Sequence, residues 1–228
     1  MVFLITGASG GIGKFLCAHY AEKGFDVFGT YNSTKPAVQS GIKLSKVDVS
    51  NFKEVELWTQ SLPLQNKRII LINSAGISYN AFAHKADPES WQKVINVNLF
   101  GSFNTSRYVL PFMRDENFGR IINFSSVVAH IGVHGTSAYA SSKAALWGLT
   151  KTLAIENATK GITVNTLTLG YFDIGMINTV PGDMKKIIIE KIPMQTFGDP
   201  KNIANALDFL IESDYTTGES ININGGLY

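Results

Sequence analysis

Tyr139 and Lys143 stand four residues apart in the run Tyr139-Ala140-Ser141-Ser142-Lys143. On a helix that spacing puts a phenol and an ammonium on one face, so both can address one site. An unperturbed tyrosine, with a pKa of roughly 10, exchanges protons poorly near neutrality. A neighbouring cation stabilises the phenolate and moves that value toward the working range. Pairs at this spacing also arise by chance on solvated helix faces, but here the preceding stretch offers the hydroxyls of Ser125 and Ser126 at the end of an apolar run. A second group is Thr6-Gly7-Ala8-Ser9-Gly10-Gly11-Ile12-Gly13. Glycines let backbone turn sharply and approach a pyrophosphate closely, and a helix starting there presents N–H donors and the positive end of its dipole. The alternative is a plain glycine-rich turn, and the choice rests on what surrounds it.

The surroundings favour a nucleotide. Val2 to Thr6 is a short apolar run, as expected of a strand buried on both faces. After the glycines, Ile12, Phe15, Leu16, His19 and Tyr20 recur at helical spacing, and Gly24 is placed to cap that helix. Val27 to Thr30 then reads as a second strand, which completes a βαβ unit with the glycines in its first turn. The alternation continues with strands over Lys43 to Val49, Arg68 to Asn73, Arg120 to Phe124 and Ile162 to Leu167. Helices are expected over Phe52 to Ser61, Pro88 to Met113, Ala138 to Asn157 and Ile203 to Ile211, with a last strand over Ser220 to Ile223. This order predicts one α/β domain spanning residues 1–228, a doubly wound parallel sheet with helices on both faces. Gly170 to Gly198 breaks the rhythm, with a helical middle over Met184 to Ile192, and reads as a flap over a ligand.

Composition bounds the rest. The 228 residues are 45% hydrophobic and 17% charged, which fits a well-buried core. A formal net charge of +2 gives no general attraction to nucleic acid or anionic membrane. Cys17, the only cysteine, lies on an apolar helical pattern and is expected to be a buried structural thiol in a reducing compartment. The first residues are apolar but meet Gly7 at once and lack a basic leader, so a cytoplasmic protein is the expectation, and no metal site is expected.

The set Thr6-Gly7-x-x-x-Gly11-x-Gly13, Asn73-Ser74-Ala75-Gly76, Asn98, Ser126 and Tyr139-x-x-x-Lys143 resembles the short-chain dehydrogenase/reductase family, along the whole chain to Asn224-Gly225-Gly226. Within it, the sequence is most similar to the compact 3-oxoacyl carrier-protein reductases and related sugar or secondary-alcohol enzymes. The resemblance implies a Rossmann-type fold and hydride transfer between a nicotinamide cofactor and a carbonyl or alcohol. By that likeness Tyr139 gives a proton to the substrate oxygen, Ser126 hydrogen-bonds the same oxygen with Ser125 as the alternative, and Lys143 acidifies Tyr139 and holds the nicotinamide ribose. Asn98 anchors a water chain to Lys143. Gly7, Ser9, Gly11, Ile12 and Gly13 face the pyrophosphate, Asp48 and Val49 touch adenine, and Asn73, Ala75 and Gly76 line the cleft through their backbone. Gly170 lies beside the nicotinamide, where the family's usual proline and threonine are missing from Leu169-Gly170-Tyr171-Phe172-Asp173-Ile174, leaving Ile174 as a backbone or steric neighbour.

An acid at the end of the second strand repels a ribose 2′-phosphate in such folds. Here Tyr31, Asn32 and Ser33 supply none, and Lys35 is near, so NADP(H) is favoured over NAD(H), although Gly10 stands where NADP-preferring relatives often carry a base. The substrate is expected to be a small carbonyl or alcohol, free or carrier-protein-bound. Docking an acidic carrier calls for basic residues at the mouth. The aligned positions are Lys160 and Asn117, with Arg114 as the possible substitute for the latter. Tyr171 and Phe172, with His130, Ile131, Val133 and His134, are expected to close the cleft. A sugar or small-ketone enzyme of the same family and a non-catalytic nucleotide-binding regulator are the other readings; the regulator is disfavoured because both Tyr139 and Lys143 are present. A homo-oligomer, dimer or tetramer, built on the long helices follows from the resemblance.

Overall fold

The computed structural model describes residues 1–34 and 40–228, so Lys35 lies outside the described residues. Seven parallel strands form one sheet in the order β3-β2-β1-β4-β5-β6-β7. They are β1 (Val2–Ile5), β2 (Asp26–Tyr31), β3 (Ile42–Lys46), β4 (Ile69–Asn73), β5 (Gly119–Ser126), β6 (Ile162–Leu169) and β7 (Ser220–Ile223). The helices between them are α1 (Gly11–Glu22), α2 (Phe52–Gln60), α3 (Pro88–Ile95), α4 (Gly101–Glu116), α5 (Val128–Ile131), α6 (Ser137–Asn157), α7 (Gly182–Lys191) and α8 (Lys201–Glu212). Period-two alternation sorts each strand between two cores. Phe3, Ile5, Ile70 and Ile72 pack with α1 and α8, whereas Val2, Leu4, Ile69 and Leu71 pack with residues of α2, α4 and α6. Every residue of β1, β4, β5 and β6 is buried, which explains the apolar, β-branched run of β1 and β4 and requires the polar residues of β5 and β6 to find partners inside. This is the expected Rossmann-type arrangement. Connections leave β1 and β4 toward opposite edges of the sheet, which opens a crevice at their carboxyl ends.

Three differences from the sequence pattern shape the surroundings of the site. β3 ends at Lys46 and not at Val49, because Asp48 is drawn into a local turn: its carboxylate accepts from the Ser50 N–H (2.9 Å) and hydroxyl (2.7 Å). The expected single helix over Pro88 to Met113 is broken by a π-helical turn at Asn96–Phe100 between α3 and α4. Asn98 faces the loop after β4 there, accepting from the Ile77 N–H (2.9 Å) and donating to its carbonyl (3.0 Å). In the flap, α7 starts two residues before the expected Met184 and buries none of its side chains.

A chain of polar side chains crosses the buried sheet. Asn73 Nδ2 donates to Asn123 Oδ1 (2.8 Å), Asn123 Nδ2 donates to Thr150 Oγ1 (2.9 Å), and Thr150 shares a hydrogen with Thr166 (2.7 Å). Thr105 Oγ1 closes the near end by donating to Asn73 Oδ1 (2.7 Å). Each member is almost fully buried and each is satisfied, so the ladder ties β4, β5, β6, α4 and α6 into one geometry. Removing its centre takes one buried hydrogen bond from Asn73 and one from Thr150 at once, each at roughly 1–2 kcal/mol. Asn123→Ala is therefore expected to lower the unfolding free energy by about 2–4 kcal/mol in urea titrations followed by circular dichroism. A loss within experimental error would show that the ladder contributes nothing to stability.

Candidate active site

The turn after β1 is built around close backbone approaches. Gly7 holds φ +69°, and a Cβ there would lie 2.8 Å from Ala75 Cα, while a Cβ on Gly13 would lie 2.3 Å from the Gly7 carbonyl oxygen. Thr6, which no motif argument singled out for its side chain, fixes the facing loop: its Oγ1 accepts from the N–H groups of Ser74 (3.1 Å) and Ala75 (3.0 Å). α1 then begins with Gly10 as its cap, with no side-chain hydrogen bond to its first turn and no acid within it. The positive end of this helix is thus uncompensated, which fits the anionic pyrophosphate of a nicotinamide nucleotide. Gly11 also meets the flap. Its Cβ would fall 2.4 Å from Gly175 Cα and 3.0 Å from Ile174 Cγ1, so the flap itself makes the close approach. Ser9 and Ile12 lie on the same turn, beside these glycines.

Beyond the ends of β2 and β3 lies a cavity of about 520 Å³, lined by Asn32, Asp48 and Ser50 on one side and by Glu89, Gln92, Lys93 and Val97 on the other. Asn32 and Asp48 were expected at the adenosine end. The polar face of α3 was not, although its spacing of three and four residues marks one side of a helix. Tyr31 closes β2 and Ser33 is exposed next to Asn32. Val49 is buried, and its side chain packs where a Cβ on Gly101 would fall, 2.6 Å away. The Asn73 side chain is committed to the polar ladder, so contact with a nucleotide there is left to the backbone that continues through Ala75 and Gly76.

The reacting groups collect at the carboxyl ends of β5 and β6. Lys143, only 4% exposed, donates from Nζ to the Phe124 carbonyl at 2.7 Å, and burial lowers its pKa to about 8. Its Nζ stands 5.7 Å from the centre of the Tyr139 ring and would be 3.5 Å from a Cβ on Gly76. Asn98 is at hand as well, since the same Cβ would lie 3.4 Å from its Oδ1. Asn98 Nδ2 also donates to Ser142 Oγ (3.0 Å), which in turn donates to the Tyr139 carbonyl (2.8 Å). Ser142 is a link that the motif spacing did not reveal.

The two serines separate cleanly. Ser125 Oγ donates to the Lys143 carbonyl at 2.9 Å and so pins the helix to the strand. The Ser126 hydroxyl accepts from the Val128 N–H (3.2 Å) and lies by the Tyr139 phenol, where it favours the anion. Burial nevertheless dominates and pushes Tyr139 up to about 12. The acidification expected from Lys143 is therefore not the prevailing effect on this phenol.

Around the cleft, Phe172 departs from expectation. It is 5% exposed and belongs to the core, where it fills the space that a side chain on Gly198 would need. Gly170 is pressed against Asn224, whose Cα would be 2.6 Å from a Cβ on it. His130 is stacked between Tyr228 (3.7 Å) and Trp147 (4.2 Å), and burial lowers its pKa, so it acts as packing. Ile131, Val133 and His134 are exposed. The carrier-docking positions also move. Asn117 caps α4 just before β5, and Lys160 ends the short turn Ala158–Lys160 before β6. Both therefore lie at the amino edge of eight-residue strands whose other ends carry the site, about 25 Å away at the usual rise. Arg114 is occupied by the Asn157 side chain (2.8 Å) and the Glu156 carbonyl (3.3 Å). Within one chain none of the three borders the mouth.

Residues 1–185 match the short chain dehydrogenase family. An acetoacetyl-CoA reductase of Rhizobium meliloti (strain 1021) is 38% identical over 100% of this chain and 98% of its own length. A 3-oxoacyl-[acyl-carrier-protein] reductase of Staphylococcus epidermidis is 36% identical over 99% of this chain and 98% of that protein, and the nodulation protein G of Azospirillum brasilense is 34% identical over 99% and 97%. The glycine turn, the buried lysine and the sheet order thus have their counterpart in sequence: the chain belongs to the short-chain dehydrogenase family, oxidoreductases that use a nicotinamide cofactor.

Proposed function

We propose that this chain is an NADP(H)-preferring carbonyl reductase acting on 3-oxoacyl thioesters. The observation that carries this reading is the meeting of Tyr139, Ser126 and Lys143 beside the uncapped start of α1. The two reductase names among the relatives point to the thioester. The nicotinamide, when bound, supplies hydride to the carbonyl carbon. Tyr139, protonated at neutral pH, delivers the proton to the carbonyl oxygen, and Ser126 holds that oxygen by a hydrogen bond. Lys143 keeps a positive charge beside the phenol as the proton leaves, and Asn98 orders the backbone and the helix turn around it. Asn32 and Ser33 accommodate the ribose phosphate in the absence of an acid at the end of β2.

Carrier-bound and CoA-bound substrates share the thioester, and either suits this site. The exposed faces of α4 and α6 support a homo-oligomer, dimer or tetramer. Phe103 stands out from one, with Phe100 just before it, and Ile155, 81% exposed, ends a stripe with Ser141, Ala145, Gly148 and Thr152 on the other. Small side chains on such a stripe let a second helix approach closely. Cytoplasmic residence is consistent with Cys17, whose thiol burial pushes up to about 12.

Loss of NADPH absorbance with acetoacetyl-CoA tests the assignment. Tyr139→Phe is expected to lower kcat by about 10²–10⁴ while the dissociation constant for NADPH, read by fluorescence, stays within about twofold. Retained turnover in the variant would remove Tyr139 from the chemistry. For the wild type, kcat/KM with NADPH should exceed that with NADH by roughly tenfold or more, a difference of about 1.4 kcal/mol; the reverse order would overturn the phosphate-binding role of Asn32 and Ser33. The pH profile follows from burial. With Lys143 near about 8 and Tyr139 near about 12, a rise through pH 8 discharges the ammonium before the phenol. Reduction is expected to slow by about tenfold per pH unit above that point, and a flat profile to pH 10 would show that the charge on Lys143 is dispensable.

A further inference from the structure

Asn224-Gly225-Gly226 follows β7 directly, and the turn it opens touches three elements around the site. Gly225 and Gly226 hold φ +66° and +89°, a left-handed pair that bends the chain sharply. The first contact is with the flap. There the Met194 N–H donates to the Gly225 carbonyl (3.1 Å), and a Cβ on Gly225 would lie 2.8 Å from Ile192 Cγ2. The second is with the end of β6, where Asn224 is pressed against Gly170. Asn224 also braces the turn itself: Oδ1 accepts from the Gly226 N–H (3.0 Å), and Nδ2 donates to the Tyr228 carbonyl (3.4 Å). Tyr228 thus hangs from a support fixed to both the sheet and the flap.

The third contact is the Tyr228 ring. It stacks on His130 with centres 3.7 Å apart and planes 25° apart, and His130 lies in turn on Trp147 at 4.2 Å and 30°. Trp147 stands on α6 four residues after Lys143, so it continues the stripe that carries Tyr139 and Lys143. His130 stands on α5, the short helix that follows Ser126. In that turn the Val128 N–H donates to Ser126 Oγ (3.2 Å), and the His130 N–H donates to the Val127 carbonyl (2.9 Å). The stack therefore clamps the turn that holds the Ser126 hydroxyl against the helix that carries Tyr139. His130 Nε2 and Trp147 Nε1 are buried with no hydrogen-bond partner among the described residues, so the clamp holds by ring contact alone. With the Tyr228 ring removed, one face of the imidazole opens to water, and its unpaired nitrogen gains a partner by leaving the stack.

We propose that Tyr228 is a positioning residue for the reduction: by pressing His130 onto Trp147 it sets the Ser126 hydroxyl relative to the Tyr139 phenol. Polarising a carbonyl oxygen depends on placement to within about half an ångström, and Ser126 owes its placement to the turn that the stack holds. The assignment rests on the reading of Ser126 as the group that holds the substrate oxygen. It needs the ring of Tyr228 and not its hydroxyl.

The test compares Tyr228→Ala, which removes the ring, with Tyr228→Phe, which keeps it. Hydrogen exchange read by mass spectrometry over residues 127–132 is expected to quicken by about tenfold in Tyr228→Ala and to stay at the wild-type rate in Tyr228→Phe. With NADPH and acetoacetyl-CoA, Tyr228→Ala is expected to lower kcat by about tenfold, while the NADPH dissociation constant stays within about twofold. In a Ser126→Ala background the same change should cost less than about twofold more, because no hydroxyl is left to misplace. Unchanged exchange in Tyr228→Ala, or a Tyr228→Phe variant as impaired as Tyr228→Ala, would overturn the assignment. So would a full tenfold loss on top of Ser126→Ala, which would reduce the stack to packing. A Ser126→Ala variant with wild-type turnover would remove Ser126 from the chemistry, and the role of Tyr228 would fall with it. A wild type that does not reduce acetoacetyl-CoA would sink the thioester reading, whereas the exchange comparison needs no turnover and decides the clamp separately.

Discussion

An ammonium buried against a neutral carbonyl governs this molecule. Lys143 donates to the Phe124 oxygen, and neither ion pair among the described residues involves it. Isolated charges are expensive to bury, and the group responds by giving up its proton more readily. Its pKa in the folded chain, about 8, lies below the ordinary 10.5, so between those values the unfolded chain holds more protons than the native one. Stability contributed by this group must then rise with pH across that window, and the penalty is fully present at neutrality. The surrounding design is consistent with a fold that carries such a penalty. Ser125 fixes the lysine's own carbonyl, Asn98 and Ser142 fix the turn before it, and the polar ladder fixes the strands below.

The same burial explains the division of labour between the two titrating groups. Tyr139 moves up and Lys143 moves down, so below about pH 8 the phenol keeps its proton while the lysine keeps its charge, and between about 8 and about 12 both are neutral. A phenol that is a weak acid in the resting site is a ready proton donor once negative charge develops on a neighbouring oxygen, since its proton then goes to the stronger base. Ser126 and the start of α6 both favour the phenolate that is left behind.

Much of this was legible in the residues. Alternating strands and helices gave the doubly wound sheet, because strands buried on both faces favour continuous apolar, β-branched runs, and β1 and β4 show them. The glycine turn and the Tyr139–Lys143 spacing located the site for equally local reasons. What stayed hidden was set by partners distant in sequence. Nothing near Ser125 announces that its hydroxyl belongs to the Lys143 backbone, 18 positions away. Phe172 reads as a lid residue until Gly198 is seen to make room for it in the core. The polar side of α3 has an ordinary surface pattern, and only the ends of β2 and β3 turn it into a cavity wall. Lys160 and Asn117 were placed by likeness to relatives, and the direction of β5 and β6 sends them to the opposite edge.

The π-helical turn at Asn96–Phe100 has a geometric consequence of its own. Widening one turn inserts a residue into the spiral and rotates everything after it by about a quarter of a revolution relative to an unbroken α-helix. α3 can therefore show its polar side to the nucleotide end while α4, almost collinear in sequence, sends Asn104, Thr105 and Ser106 inward to the sheet. Two helices with incompatible phases are joined without a loop. The insertion acts as a fixed twist in a shaft, and shortening the segment by one residue would preserve its helical content while turning one of its two faces away from the surface it serves.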